Sequence, residues 1–338
     1  GSEMCIRDSY KKYPEVRKIL IGSSPYDETS RFNKVAFPGK NTPILEIVDF
    51  LNARARENQW GFVDFNRPMV AINQWEQAED SMYTLCGKDR IHPSTDGHLV
   101  MAYLFLKAQG LAGKPVADIR IDGAGKKVTR SDNCRVSDLS VSSDNLTFTY
   151  EAKSLPYPID TSYYDNEKHT QADALSVIPF MDEMNYEGLS VSGLSDGYYG
   201  LTIGGEFIGR FTARELERGI NMALLQNTPQ YKQAMKIRQM NEERWLKERK
   251  MREFYWVEYN LMRKTGMLWA CNEAAVDTLR KYRPHDIFLQ WNGDLWLQYM
   301  HKGIREDCVN EQQDLVNQIY EQNKPIPLRI EIKKFTDL

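Results

Sequence analysis

Asp89, His92, Pro93 and His98 fall in the stretch KDRIHPSTDGHLVMAYLFLKAQG, residues 88–110, at the mouth of a run whose apolar residues recur at helical spacing. An acid three residues before a histidine is a pairing that acid–base chemistry uses. A serine hydrolase needs an imidazole base held in one tautomer beside its nucleophile, and a carboxylate that accepts the other ring N–H does the holding. From one loop ahead of a helix, Asp89 and His92 can present both side chains to a single cleft. The plainer reading has Asp89 ending a loop and Ser94 or Thr95 capping the helix. A bare D-x-x-H arises often by chance, so its surroundings decide its meaning.

Those surroundings alternate strand and helix. Residues 16–22 contain the short apolar run Ile19, Leu20, Ile21, ended by Ser23, Ser24 and Pro25, which predicts a buried strand. Asn41-Thr42-Pro43 opens a helix with Ile44, Ile47, Val48, Leu51 and Ala55 on one face. WGFVDF, 60–65, reads as the next strand, a helical stretch follows from Pro68 to about residue 80, and residues 94–109 carry Val100, Met101, Leu104, Phe105 and Ala108 at helical spacing. This order predicts an α/β layered domain in which the two strands run parallel, with the 43–57 helix crossing between them.

After Gly110 the texture changes. KPVADIRIDGAGKKVTR, VSDLSVSSDNLTFTYEA and the 187–211 segment alternate apolar with polar residues across turns such as Asp196-Gly197 and Gly204-Gly205, which predicts short antiparallel strands. Thr212 and Glu215 form a capping-box pair ahead of a helix. From Pro229 to about Lys264 acidic and basic residues alternate along one long helical stretch, a solvated helix laid down by its Trp245, Phe254, Val257 and Leu261 side rather than a nucleic-acid arm. Further helices follow, where Trp291, Leu295 and Tyr299 read as packing residues.

Composition narrows the partners. The 338 residues are 41 % hydrophobic and 27 % charged, enough apolar material for one large core or two smaller ones. The 44 basic and 47 acidic residues give a net charge of -3 and are spread along the chain, which argues against a nucleic-acid surface. Five scattered cysteines fit neither a disulfide framework nor a CxxC-type zinc site. No run approaches the roughly 18 apolar residues of a membrane helix. Residues 1–9, GSEMCIRDS, pass without a start signal into YKKYPEVRKILIGSSPYD, which predicts that further sequence precedes them.

Asp89-x-x-His92-Pro93, then Gly97-His98 and an apolar helix, resemble the last block of the SGNH (GDSL-type) hydrolase superfamily, and KILIGSSPYDE and GFVDF are similar to the elements ahead of it in bacterial carbohydrate-esterase-like members. The likeness covers roughly residues 10–111. It implies the C-terminal part of a three-layer α/β/α domain with a parallel sheet over 10–111, followed by a β-rich accessory module over 112–211 and a helical C-terminal region over 212–338. It also implies an ester hydrolase acting on an O-acyl or acetyl ester, often of a carbohydrate, without cofactor or metal, and a secreted or periplasmic setting. His92 would be the general base and Asp89 the acid that fixes it.

The resemblance departs where the nucleophile belongs. The family's G-D-S block, and the glycine and asparagine blocks of its oxyanion hole, are not found upstream of Tyr10; Arg7-Asp8-Ser9 mimics G-D-S without a preceding strand, so Ser9 is not assigned. Ser23 and Ser24 follow a strand but form no G-x-S-x-G elbow, and are expected on the rim of the cleft. The nucleophile is thus expected outside these residues, and the chain alone is expected to be inactive. His98 is expected to pack on its helix, and His169, His285 and His301 show no recognisable partners. The alternative is a noncatalytic glycan-binding or structural protein, with Tyr163-Tyr164 or Tyr198-Tyr199 as a sugar platform.

Overall fold

The computed structural model describes residues 8, 12–32, 36–162 and 169–335. Ser9, Tyr163 and Tyr164 lie outside the described residues. The chain forms two compact units: one takes the described residues up to Asp118 with Ile159–Gly188 and Asn221–Leu224, the other Ile119–Pro158, Leu189–Ile220 and Leu225–Leu338.

In the first unit, β1 (Ile19–Gly22) pairs in parallel with β2 (Gly61–Asp64), Ile19 opposite Gly61 and Gly22 opposite Asp64. Helix α1 (Asn41–Glu57) connects them and packs close on β1: a Cβ on Gly22 would stand 3.1 Å from a Val48 methyl. α2 (Asn66–Glu76) and α3 (Thr95–Ala108) follow. The core joins Val63 and Phe65 after β2, Met69 of α2, Leu85, and Leu99, Val100 and Tyr103 of α3 to Ile159, Ile178 and Phe180 from later in the chain. Each such aliphatic side chain contributes about 1.5–3 kcal/mol by leaving water.

Two expectations change here. The strand begins at Ile19, leaving Val16 exposed. On α1 only Val48 and Ala55 are buried; Ile47 and Phe50 are each 60 % exposed, and Ile21 of β1 is 47 % exposed. Apolar side chains are thus left exposed on both α1 and β1, because periodicity marks an apolar stripe without fixing what covers it.

Two larger sheets follow, and the five-stranded one, in the second unit, is antiparallel throughout. β3 (Ala117–Asp122), β4 (Lys127–Asp132), β7 (Glu187–Ser192) and β10 (Ile220–Asn221) form a sheet in the order β10-β7-β3-β4. β5 (Cys134–Val141), β6 (Asn145–Ala152), β8 (Tyr198–Ile203), β9 (Glu206–Thr212) and β11 (Leu328–Lys334) form another, ordered β5-β6-β11-β8-β9. β11 has no counterpart among the strands expected from the sequence. It ends the expected helical region by returning to the middle of the sheet, with Ile330 opposite both Phe148 and Ile203 and Leu328, Ile330 and Ile332 buried.

Short α4 (Ala213–Arg218) starts at the Thr212–Glu215 capping box, in which the Glu215 N–H donates to Thr212 Oγ1 at 3.2 Å and the Thr212 N–H donates back to the Glu215 carboxylate at 2.7 Å. Thr212→Ala should lower the stability of this unit by about 1 kcal/mol, read from urea unfolding. An unchanged midpoint would show that the cap contributes nothing.

The long α5 (Pro229–Val257) is capped by Thr228 and laced by the pairs Arg238–Glu242, Arg249–Glu253 and Arg252–Glu248. It buries Phe254 and Val257 as expected. Trp245, however, is 44 % exposed, with Arg249 and Arg252 beside its ring. A π-helical turn, Glu258–Met262, leads on to α6 (Glu273–Tyr282), α7 (Ile287–Tyr299) and α8 (Lys302–Gln322). Buried Glu258 accepts from the Trp296 indole N–H and the Trp269 backbone N–H, both at 2.8 Å. Trp296 is the core tryptophan of α7, whereas Trp291 is 66 % exposed and does not pack as expected.

Candidate active site

Asp89 and His92 sit on the loop between Leu85 and α3. Its stem closes as a hairpin: Cys86 bridges Pro93, the Gly87 N–H donates to the His92 carbonyl at 2.5 Å, and the Ser94 N–H donates to the Leu85 carbonyl at 3.0 Å. At the tip Arg90 takes a positive φ of 69°, sparsely occupied by residues with a side chain. That turn lets one Asp89 oxygen accept from the backbone N–H groups of Ile91 (3.1 Å) and His92 (3.0 Å), while the other oxygen binds His92 Nδ1.

What holds the strained tip is the Arg90 side chain, 3 % exposed, whose guanidinium donates to the carbonyls of Asp27 (3.1 Å), Ser30 (2.9 Å) and Phe32 (3.2 Å) and lies over the Phe32 ring. The Asp27 N–H donates in turn to the Arg90 carbonyl at 2.8 Å. Asp27 is itself held by Asn73 and Gln77 of α2 and its neighbourhood. Arg90 had no visible role in the sequence; a basic residue between an acid and a histidine reads as surface.

The carboxylate and the imidazole divide their tasks. Burial raises the Asp89 pKa, but the bonds from the His92 ring and from the His92 and Ile91 N–H groups outweigh it and hold the group down at about 2. The His92 side chain is 84 % exposed, so its Nε2 edge is open. An acceptor on Nδ1 and an open Nε2 are the arrangement of a base that takes a proton from a nucleophile and returns it to a leaving group.

Ser24 is brought to this loop: its hydroxyl donates to the Ile91 carbonyl at 3.5 Å. Ser23 is exposed, and neither serine has a bond to the His92 ring among the described residues. His98 is exposed rather than packed. His169 and His301, which had no recognisable partners, do have them: His169 Nδ1 lies 2.7 Å from Asp96, and His301 Nδ1 lies 3.3 Å from Cys271 Sγ. Among the described residues no three His, Cys, Asp or Glu side chains converge as metal ligands would. No described helix is long and apolar enough to cross a membrane. Of the pair 198–199, Tyr199 is 1 % exposed and its hydroxyl binds Ser195, while Tyr198 is 48 % exposed with Arg210 over its ring.

Close packing behind the loop makes a further prediction. A Cβ on Gly97, in the first turn of α3, would stand 2.2 Å from the Leu85 carbonyl oxygen, a backbone atom that cannot swing aside. Gly97→Ala should cost about 1–3 kcal/mol of stability, measured by thermal or urea unfolding. A wild-type transition would mean that the stem yields freely.

Three comparisons bear on these elements. The family model of the diltiazem deacetylase C-terminal helical domain matches residues 235–324, which run from within α5 to just past α8. The solved structure of a gut microbial diltiazem-metabolizing enzyme is similar to this chain with 40 % sequence identity and a TM-score of 0.88, over 98 % of this chain and 76 % of that one. No curated protein matches.

Proposed function

The chain belongs to the family of the gut microbial diltiazem-metabolizing enzyme, and from that membership we propose that it is an ester hydrolase that removes an acetyl group through an Asp89–His92 acid–base pair and a serine nucleophile. The deacetylase description of the matched helical domain supports the acetyl group. The observation that carries the reading is the Asp89 carboxylate bound to Nδ1 of a histidine whose other edge is open.

The chemistry runs in two halves. His92 Nε2 takes the proton of a serine hydroxyl as its oxygen attacks the acyl carbon. The proton then passes to the departing alcohol as the C–O bond breaks, leaving an acetyl-enzyme that water hydrolyses by the same route. Asp89 fixes the ring and balances the imidazolium. The domain around the pair is proposed to be of the SGNH type, a three-layer α/β/α arrangement with a parallel sheet over 10–111, followed by a β-rich module and a helical region. An O-acylated carbohydrate is the substrate class that this relationship implies.

The nucleophile is not assigned to Ser9, Ser23 or Ser24. The proposal is that turnover needs a G-D-S block with its glycine and asparagine partners, none of which stands upstream of Tyr10. Acetate release from an activated acetyl ester, an O-acetylated sugar and diltiazem tests the reading, with the 338-residue chain alone and with those three blocks joined ahead of it. Background rates from the first and turnover from the second are expected. Turnover by the chain alone that is lost on mutating Ser23 or Ser24 would place the nucleophile there instead.

A further inference from the structure

A second acid–histidine pair stands just behind the loop, and the proposed chemistry does not use it. Asp96, in the first turn of α3, is fully buried. One of its oxygens accepts from the Gly97 N–H at 2.7 Å and binds the Ser94 hydroxyl; the other faces His169 Nδ1 at 2.7 Å, across 73 residues of sequence. The Ser94 hydroxyl also lies 3.0 Å from the Leu85 carbonyl.

Serine, acid and histidine are all present here, but in the wrong order for a nucleophile. The serine and the histidine both bind the acid, so no base faces the hydroxyl, and Ser94 is 7 % exposed. The arrangement is a clasp. It fastens Ser94, the residue that closes the hairpin stem on Leu85, and His92 lies two residues before Ser94 with its own carbonyl held by Gly87. Arg90 pins the tip of the same loop, so the stem is the end that the clasp controls.

A buried carboxylate is costly unless it is hydrogen-bonded or paired, and the His169 ring supplies such a partner. The hydrogen bond to Asp96 raises the His169 pKa most; burial opposes it, and the charges of Asp96, Asp173 and Asp80 add to it. The Tyr83 ring lies against the imidazole with centroids 5.3 Å apart, and the Tyr83 hydroxyl is buried without a hydrogen-bond partner among the described residues.

We propose that Asp96 and His169 are positioning residues for His92: by fastening Ser94 they hold the stem of the Asp89–His92 loop so that the ring keeps its bond to Asp89. This rests on the proposed role of His92 for its effect on rate, but its structural half does not. Misplacing a catalytic group by about 1 Å costs up to about a hundredfold in rate, so partial loosening of the stem should lower kcat by about tenfold and leave KM nearly unchanged. His169→Asn keeps an N–H donor where Nδ1 stood and should restore the rate; His169→Ala should not.

The test reads the ring first and the rate second. Nitrogen-15 shifts of the His92 imidazole are measured by NMR in the 338-residue chain, with Asp89→Ala marking the position of a ring that has lost its acid. His169→Ala should move the His92 signals toward that position and His169→Asn should return them. The rate is then compared in the chain carrying the three upstream blocks. The raised His169 pKa adds a sign to the stability: its contribution is full below the ordinary histidine value and is lost as pH rises through the raised one. The Tm advantage of wild type over His169→Asn should therefore be larger at pH 6 than at pH 9, by on the order of 2–4 °C.

Wild-type His92 shifts in His169→Ala, with only Tm lowered, would overturn the proposal by making the pair a structural clip. Equal displacement in His169→Ala and His169→Asn would overturn it too. If His169→Ala does not fold, Ser94→Ala must displace the His92 signals in the same way, and unchanged signals there count against the clasp. Displaced shifts together with a rate that His92→Ala leaves intact would uphold the positioning and refute the catalytic reading on which the rate effect rests.

Discussion

His92→Ala is expected to lower kcat/KM for acetyl-ester hydrolysis by about four to six powers of ten, in the chain carrying the serine, glycine and asparagine blocks. At roughly 1.4 kcal/mol per power of ten this is about 5–8 kcal/mol of transition-state stabilisation. The size follows from what the ring does twice, once as base toward the nucleophile and once as acid toward the leaving alcohol. The side chain is 84 % exposed, so its removal disturbs no core, and the unfolding transition should stay close to wild type. Loss of rate with a retained transition separates a chemical role from a structural one. A loss of less than tenfold would return His92 to the status of a residue that merely precedes a helix.

Asp89→Asn should cost about four powers of ten in kcat. An amide in that place can still accept through its oxygen, but it carries no charge to balance the imidazolium, and its nitrogen can turn the ring to the wrong tautomer. The loss should be strongly non-additive with His92→Ala, because the second substitution removes a group that has already lost its purpose. The pH profile adds a check on sign. The Asp89 carboxylate is held down at about 2, so its contribution is present above the ordinary carboxylate range and lost only as pH falls through that value. The acid limb of the rate profile should therefore show no inflection from Asp89 in the ordinary carboxylate range. A limb that moves in Asp89→Glu would assign it to this group after all.

Much of the first unit is legible in the sequence because its signals are local. Ile19, Leu20 and Ile21 ended by Ser-Ser-Pro make a strand, Pro43 opens a helix, and the parallel pairing of β1 with β2 follows from the helix between them. The Thr212–Glu215 box is likewise a matter of three residues. The Asp89–His92 contact needs one turn of backbone.

The unread parts are those set by distant chain. Leu328, Ile330 and Ile332 alternate as a strand should, yet their place between β6 and β8 depends on segments more than a hundred residues away. Trp291 and Trp296 share one helix, and helical spacing could not tell which of them would be covered. At the site, the sequence showed the acid and the histidine but not what holds them. Arg90 works through carbonyls of a loop some 60 residues earlier, and Asp96 through a histidine 73 residues later. Neither leaves a trace in residue type or spacing.

His92, oriented by Asp89, is proposed to activate a serine. A fluorophosphonate probe reads this directly, since it bonds covalently to a serine oxygen that a base has activated, and peptide mapping then locates the bond. In the chain carrying the three upstream blocks, the probe should label the G-D-S serine, and His92→Ala should abolish the labelling while the protein stays folded. Labelling that persists in His92→Ala, or that falls on Ser9, Ser23 or Ser24, would show that His92 does not activate a G-D-S serine.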